Sequence, residues 1–241
     1  MHNDVNKRRV GLILPSVNIR LEPELNRCPQ LSGFNFYATR VLLDDTTEDA
    51  LKAMENDLHH AATLLATVFP EIVVYGCTSG SFIQGEEGNV NIIETIADIC
   101  RCPVVTASQA MVDSLKAIGA KTITLVTPYT DDINQKEKYF FEANGIKVTS
   151  MRGMQIVVAE ELRTKSVEEV TKLVIEADVP ESEAVFISCT NVEGFHICEG
   201  LERQLDKPVI TSNIACLWSM LRAIKNEVKI TDRGMLLREY W

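Results

Sequence analysis

The chain reads as an α/β protein of two pseudo-equivalent halves, each carrying a largely parallel sheet, and three observations predict this. First, apolar β-branched runs recur at VGLIL (10–14), FYATRVLL (36–43), EIVVYG (71–76), PVVT (103–106), TITLVT (122–127), AVFIS (184–188) and PVIT (208–211), with helix-length segments between them. A parallel sheet with crossover helices requires this alternation. Second, the blocks repeat in order: VGLILPSVN matches TITLVTPYT, IVVYGCTSGSF matches AVFISCTNVEGF, and PVVTASQAMVDSLKAIG matches PVITSNIACLWSMLRAIK. Matched blocks in one order point to duplication. Third, no Pro-rich or Gly/Ser-rich linker separates the halves, so they must pack closely.

Between the strands, Thr47 to Phe69 has helical spacing, with Leu51, Met54, Leu58, Ala61, Ala62 and Leu65 on one stripe. Similar stripes cover Ile92–Ile99, Ala107–Ile118, Asp131–Asn144, Ser166–Ala177 and Ile214–Asn226, and Asn144-Gly145 reads as a helix stop. SGSFIQGEEG (79–88), with glycines at 80, 85 and 88, reads as a mobile loop over the site.

Composition narrows the function. The 241 residues are 46% hydrophobic and 24% charged, enough for a large core, and the formal charge of −10 argues against a nucleic-acid backbone as partner. The one basic cluster, Lys7-Arg8-Arg9, reads as a solvated entry to the first strand. The apolar run behind it is broken at Pro15, too soon for an export or membrane segment. Seven cysteines in apolar runs, and no Asn-x-Ser/Thr site, fit a reducing, cytoplasmic setting with free thiols. No metal is expected: Cys100-x-Cys102 lacks the usual ligand spacing, and the histidines are scattered at 2, 59, 60 and 196. There is no Walker loop, no Gly-x-Gly-x-x-Gly and no Gly-x-Ser-x-Gly, so nucleotide cofactors and a serine triad have no support.

A duplicated α/β unit sets equivalent strand ends opposite each other, and open parallel sheets bind ligands at those ends. Cys77 and Cys189 sit there, as do Asn18 with Tyr129 and Ser108 with Asn213, so one ligand between the halves could touch all six. Thr78, Ser79 and Gly80 follow one cysteine and Thr190, Asn191 and Gly194 follow the other; these short residues expose backbone amides that favour a thiolate or hold a carboxylate. Two opposed thiols permit one to act as nucleophile or base and the other as acid. Cys28, Cys100, Cys102, Cys198 and Cys216 do not recur between halves and read as small buried hydrophobes, while His196 is a candidate supporting residue near Cys189.

GLILPSVN, the Gly-Cys-Thr-Ser block, the Thr-Pro-Tyr block and the second Cys-Thr block together resemble the aspartate/glutamate racemase superfamily, and within it the maleate cis-trans isomerases and arylmalonate decarboxylases. The resemblance covers nearly the whole chain. It implies two flavodoxin-like halves around a pseudo-twofold axis, residues 1–112 plus 214–241 forming one and 113–213 the other, with no cofactor and with assembly as a homodimer or larger homo-oligomer. In the isomerase pattern Cys77 adds as thiolate to an alkene carbon of a small unsaturated dicarboxylate and Cys189 exchanges a proton with the adduct, while Asn18, Thr78, Ser79, Tyr129, Thr190 and Asn191 bind substrate. The decarboxylases typically lack the first cysteine. One departure from the isomerase pattern stands out: where an asparagine is usual early in the second half, GMQIVVAEEL offers Val158 and Ala159. Two other readings remain, a two-cysteine racemase or epimerase of an amino acid or derivative, and a non-catalytic anion-binding regulator on the same fold. Neutral donors dominate the Cys blocks, and Glu193 is the nearest acid that could hold an ammonium, which favours the isomerase.

Overall fold

The computed structural model describes residues 7–240, so His2 lies outside it. Eight strands, β1 (Arg8–Pro15), β2 (Phe34–Val41), β3 (Ile72–Tyr75), β4 (Val104–Thr106), β5 (Thr122–Thr127), β6 (Lys147–Gly153), β7 (Ala184–Ile187) and β8 (Val209–Thr211), form two parallel sheets. Their orders, β2-β1-β3-β4 and β6-β5-β7-β8, are the same order twice. Matched hydrogen bonds repeat the duplication: Gly76 N–H donates to the Ile13 carbonyl at 2.9 Å and Ser188 N–H to that of Val126 at 2.8 Å. Likewise Val73 N–H reaches the Pro103 carbonyl at 3.0 Å and Val185 N–H that of Pro208 at 2.9 Å.

The helices are α1 (Leu21–Asn26), α2 (Glu48–Ala53), α3 (Glu55–Ala66), α4 (Thr78–Phe82), α5 (Gly85–Cys100), α6 (Ala107–Ala117), α7 (Asp131–Ala143), α8 (Ala159–Leu162), α9 (Val167–Ala177), α10 (Cys198–Leu205), α11 (Ser212–Ala223) and α12 (Met235–Glu239). Thr106 and Thr211 cap α6 and α11 in the same way, each hydroxyl accepting from the N–H three residues on. Those two helices pack against each other and against both β4 and β8, and so tie one sheet to the other. The short central strands β3 and β7 are buried at every position, as parallel strands covered on both faces must be. Each such aliphatic side chain contributes about 1.5–3 kcal/mol on burial. Gly11 lets α3 close on β1: a Cβ there would lie 2.5 Å from Leu65 Cδ2.

The sequence expectations differ from the structure in three places. The segment 47–69 folds as α2 and α3, meeting at Met54, which keeps right-handed helical angles so that the apolar stripe runs on. The segment 79–88 is no mobile loop but α4 and the start of α5, with Ser79 to Ile83 buried. Its glycines serve a turn, at Gly85 (φ 69°), and close packing at Gly80. Strand β6 was not expected because KVTSMRG is an edge strand in which polar side chains bond locally: Thr149 donates to the Ile123 carbonyl and Ser150 to that of Ala177.

Candidate active site

Each sheet delivers a cysteine at the end of its central strand. Cys77 follows β3 by two residues and is the N-cap of α4, its sulfur accepting from Gly80 N–H at 3.3 Å. Cys189 follows β7 by two residues, and its sulfur accepts from Asn191 N–H at 3.4 Å. Both thiols line one cavity between the halves, whose space, open mouth included, is about 460 Å³. Asn18, Thr78, Ser79, Tyr129, Thr190 and Asn191 line the same cavity, so the two expected catalytic cysteines and the six expected substrate-binding residues come together. Ser108 and Asn213 do not. Ser108 is buried behind the site, donating to the Ser81 carbonyl and to Asn89, and Asn213 donates to Glu24 and the Val192 carbonyl. His196 is exposed and borders a separate polar cleft with Arg20 and Glu24, and Glu193 turns to Arg20 at 3.4 Å.

Several of the lining side chains stitch the halves together. Asn18 Nδ2 donates to Thr190 Oγ1 at 3.0 Å, and Thr190 Oγ1 donates to the Gly76 carbonyl at 2.8 Å. Asn191 Oδ1 accepts from Ile19 N–H at 2.8 Å while its Nδ2 donates to the Val17 carbonyl. Ser212, at the start of α11, accepts from Thr78 Oγ1 at 3.0 Å and from Cys189 N–H at 3.1 Å. The threonine hydroxyls are therefore committed to protein partners. Thr78 and Ser79, as the first residues of α4, have backbone N–H groups with no carbonyl inside the helix to bind.

Tyr129 supplies a different kind of group. Its hydroxyl is buried and makes no regular hydrogen bond to any described residue, yet it lies close enough to Cys189 to lower that thiol's pKa. A buried hydroxyl without a partner costs roughly 1–3 kcal/mol, a cost that a bound anion would remove.

Burial dominates the electrostatics. It pushes the Cys77 thiol up to about 12 against the opposing pull of Gly80 N–H, and Cys189 up to about 11 against Asn191 N–H and the Tyr129 hydroxyl. The strand-end amides act in the expected direction, lowering both thiol pKa values, but desolvation outweighs them. Burial thus favours the protonated form of both thiols.

Sequence reasoning missed the apolar wall. Leu43 and Ile156 face the cavity from the loops after β2 and β6, which are zipped by Thr46 N–H donating to the Val157 carbonyl at 3.1 Å and by a bridge between Asp45 and Val158. Val158, at the place of the departure from the isomerase pattern, is exposed, and Leu162 of α8 lines the cavity. A second missed residue is Glu137 on α7, fully buried, whose Oε1 accepts from Ser188 Oγ at 2.5 Å. Its signal was in the sequence: it falls on the buried stripe of α7 with Ile133, Phe140 and Phe141.

A duplicated doubly wound fold with one thiol from each half on a shared pocket defines a two-cysteine α/β protein with the fold of the aspartate/glutamate racemase superfamily. The chain belongs to the arylmalonate decarboxylase family, whose profile matches residues 10–237. It is 27% identical over 242 residues to a maleate isomerase of Nocardia farcinica (strain IFM 10152), covering 96% of each chain. It is 25% identical over 213 residues to an arylmalonate decarboxylase of Bordetella bronchiseptica, covering 87% of this chain and 85% of the other. Among solved structures it matches a cysteine-to-serine mutant of the Nocardia farcinica maleate cis-trans isomerase with a covalently bound succinylcysteine intermediate. That match has a TM-score of 0.91 at 26% identity and covers 96% of this chain and 98% of that one.

Proposed function

We propose that this chain is a cofactor-independent cis-trans isomerase of a small unsaturated dicarboxylate, converting maleate to fumarate. The observation that carries the reading is the pair of cysteines, one from each half, lining a single pocket beside an unpartnered tyrosine hydroxyl. Cys77 releases its proton to solvent through the cavity mouth, to be regained when the thiolate is freed at the end of the cycle, and the thiolate adds to one alkene carbon, the π pair moving to the neighbouring carbon and its carboxylate. Cys189 donates a proton there, giving a succinyl thioether with a single central bond. After rotation about that bond the Cys189 thiolate takes the proton back, the double bond re-forms trans, and Cys77 leaves as thiolate. The Tyr129 hydroxyl and the amides of Thr78 and Ser79 stabilise the charge that develops on carboxylate oxygen, and Asn18, Thr190 and Asn191 shape the carboxylate pocket.

The relatives' maleate chemistry supports this reading, and Cys77 itself weighs against the decarboxylase branch, which typically lacks that cysteine. All seven cysteines are unpaired, which supports a reducing, cytoplasmic setting. Among the described residues no helix is long and apolar enough to cross a membrane. The family resemblance supports work as a homo-oligomer. Proton NMR of the reduced protein with maleate in heavy water tests the reading: the maleate vinyl signal should fall as fumarate grows, and should not in Cys77→Ala. No change with the intact protein would sink it.

A further inference from the structure

Glu137 is a buried carboxyl group with only one hydrogen-bond partner. It is fully buried on the core face of α7, its Oε1 accepts the Ser188 hydroxyl, and its Oε2 has no hydrogen-bond partner. Ser188 is the residue immediately before Cys189, whose backbone holds φ at 88°, a conformation that L side chains rarely adopt. The carboxyl therefore grips the chain one residue from the strained thiol. None of the ion pairs among the described residues involves Glu137.

The titratable groups that feel its charge are Cys189 and Tyr129, and Cys77 adds to the pair around Cys189. Helix α4, which packs on α7, carries no titratable side chain. The charged residues of the other neighbours, Glu86, Glu87, Glu94 and Asp98 on α5 and Lys147 and Arg152 on β6, are all exposed. With a single hydroxyl donor and no cation, burial lifts its pKa to about 8, so it is an uncharged acid at neutral pH.

We propose that Glu137 is a positioning residue for Cys189: as an uncharged acid it fixes Ser188 and keeps negative charge away from the thiol, and its ionisation sets an alkaline limit on proton transfer. The effect on turnover rests on the reading of Cys189 as the proton-transferring group. When Cys189 gives up its proton it becomes a thiolate, and a carboxylate nearby opposes that change.

The experiment separates this idea from the isomerase reading by using a readout that needs no substrate. Peptide-resolved mass spectrometry would follow iodoacetamide alkylation of Cys189 from pH 6 to 10 in the wild type, Glu137→Gln and Glu137→Leu. Gln keeps an acceptor for Ser188 and cannot ionise, so Cys189 should alkylate about tenfold faster in Glu137→Gln than in the wild type at pH 9.5, with the curves converging below pH 7. Superimposed curves for folded proteins would overturn the proposal. With turnover as the second readout, Glu137→Leu should lower kcat across the whole pH range, and Gln should restore most of the loss at neutral pH. Equal kcat in Glu137→Leu and the wild type would remove the positioning role.

Discussion

Cys77 and Cys189 occupy the same place in two copies of one fold and are held in different ways. Cys77 has extended backbone angles (φ −134°, ψ 105°), is 3% exposed, and leads straight into a helix. Cys189 sits at φ 88°, is half-buried, and leads into a turn, with no helix until Cys198. The sequences differ in length as well: five steps separate Cys77 from Phe82 in CTSGSF, and six separate Cys189 from Phe195 in CTNVEGF. The first segment, with Gly80 under the sulfur, winds into α4; the second forms a turn and holds Cys189 in a left-handed conformation. Duplication supplied two equivalent positions, of which one holds an enclosed thiol and the other a more open one.

The comparison breaks most directly at the thiols. Cys77→Ala and Cys189→Ala should each lower kcat by roughly 10⁴-fold or more while leaving the circular dichroism spectrum unchanged. Cys189→Ser should in addition trap an adduct of one substrate molecule on Cys77, seen by intact mass; an active Cys189→Ala protein would make the second half dispensable. Next in size, Tyr129→Phe should reduce kcat about 10²-fold with little change in stability, measured by steady-state kinetics and thermal melts.

Gly80→Ala sharpens the contrast. The added Cβ would lie 2.9 Å from the Cys77 sulfur and 3.1 Å from the Tyr75 hydroxyl, so we expect about a tenfold loss of kcat and a destabilisation of roughly 1–3 kcal/mol, read from urea melts. The smallest effect is on pH-dependent stability. The folded pKa of Glu137 lies above its ordinary value, so the folded state holds a proton that the unfolded chain releases. Its contribution is fully present below about pH 4.5 and is lost as pH rises through about 8. Urea midpoints of the wild type should therefore fall between pH 5 and 9 more than those of Glu137→Gln.

Much of this was legible beforehand for a physical reason: buried parallel strands need unbroken apolar runs, and both copies of IVVY and AVFI end in Cys-Thr. Asn18 and Tyr129 were reachable from the strand ends alone. What escaped lay where local pattern and tertiary role part company. Edge strand β6 satisfies its polar side chains locally, and in 79–88 Gly80 allows close packing and Gly85 a turn, where glycine-rich sequence suggests motion. Ser108 and Asn213 occupy equivalent turns, but equivalence of position along the chain does not say which way a side chain points; both face the interior behind the cavity. The left-handed backbone of Cys189 has no signature in its own side chain.

The stitches between the halves have a kinetic consequence. Asn18 and Thr190 are 172 residues apart in the chain, Thr78 and Ser212 are 134 apart, and Gly76 and Thr190 are 114 apart. Loops of that span close late, after each sheet has gained its own local partners. During refolding, helical signal should therefore return before enzymatic competence does, and the interval between them times the docking of two assembled halves.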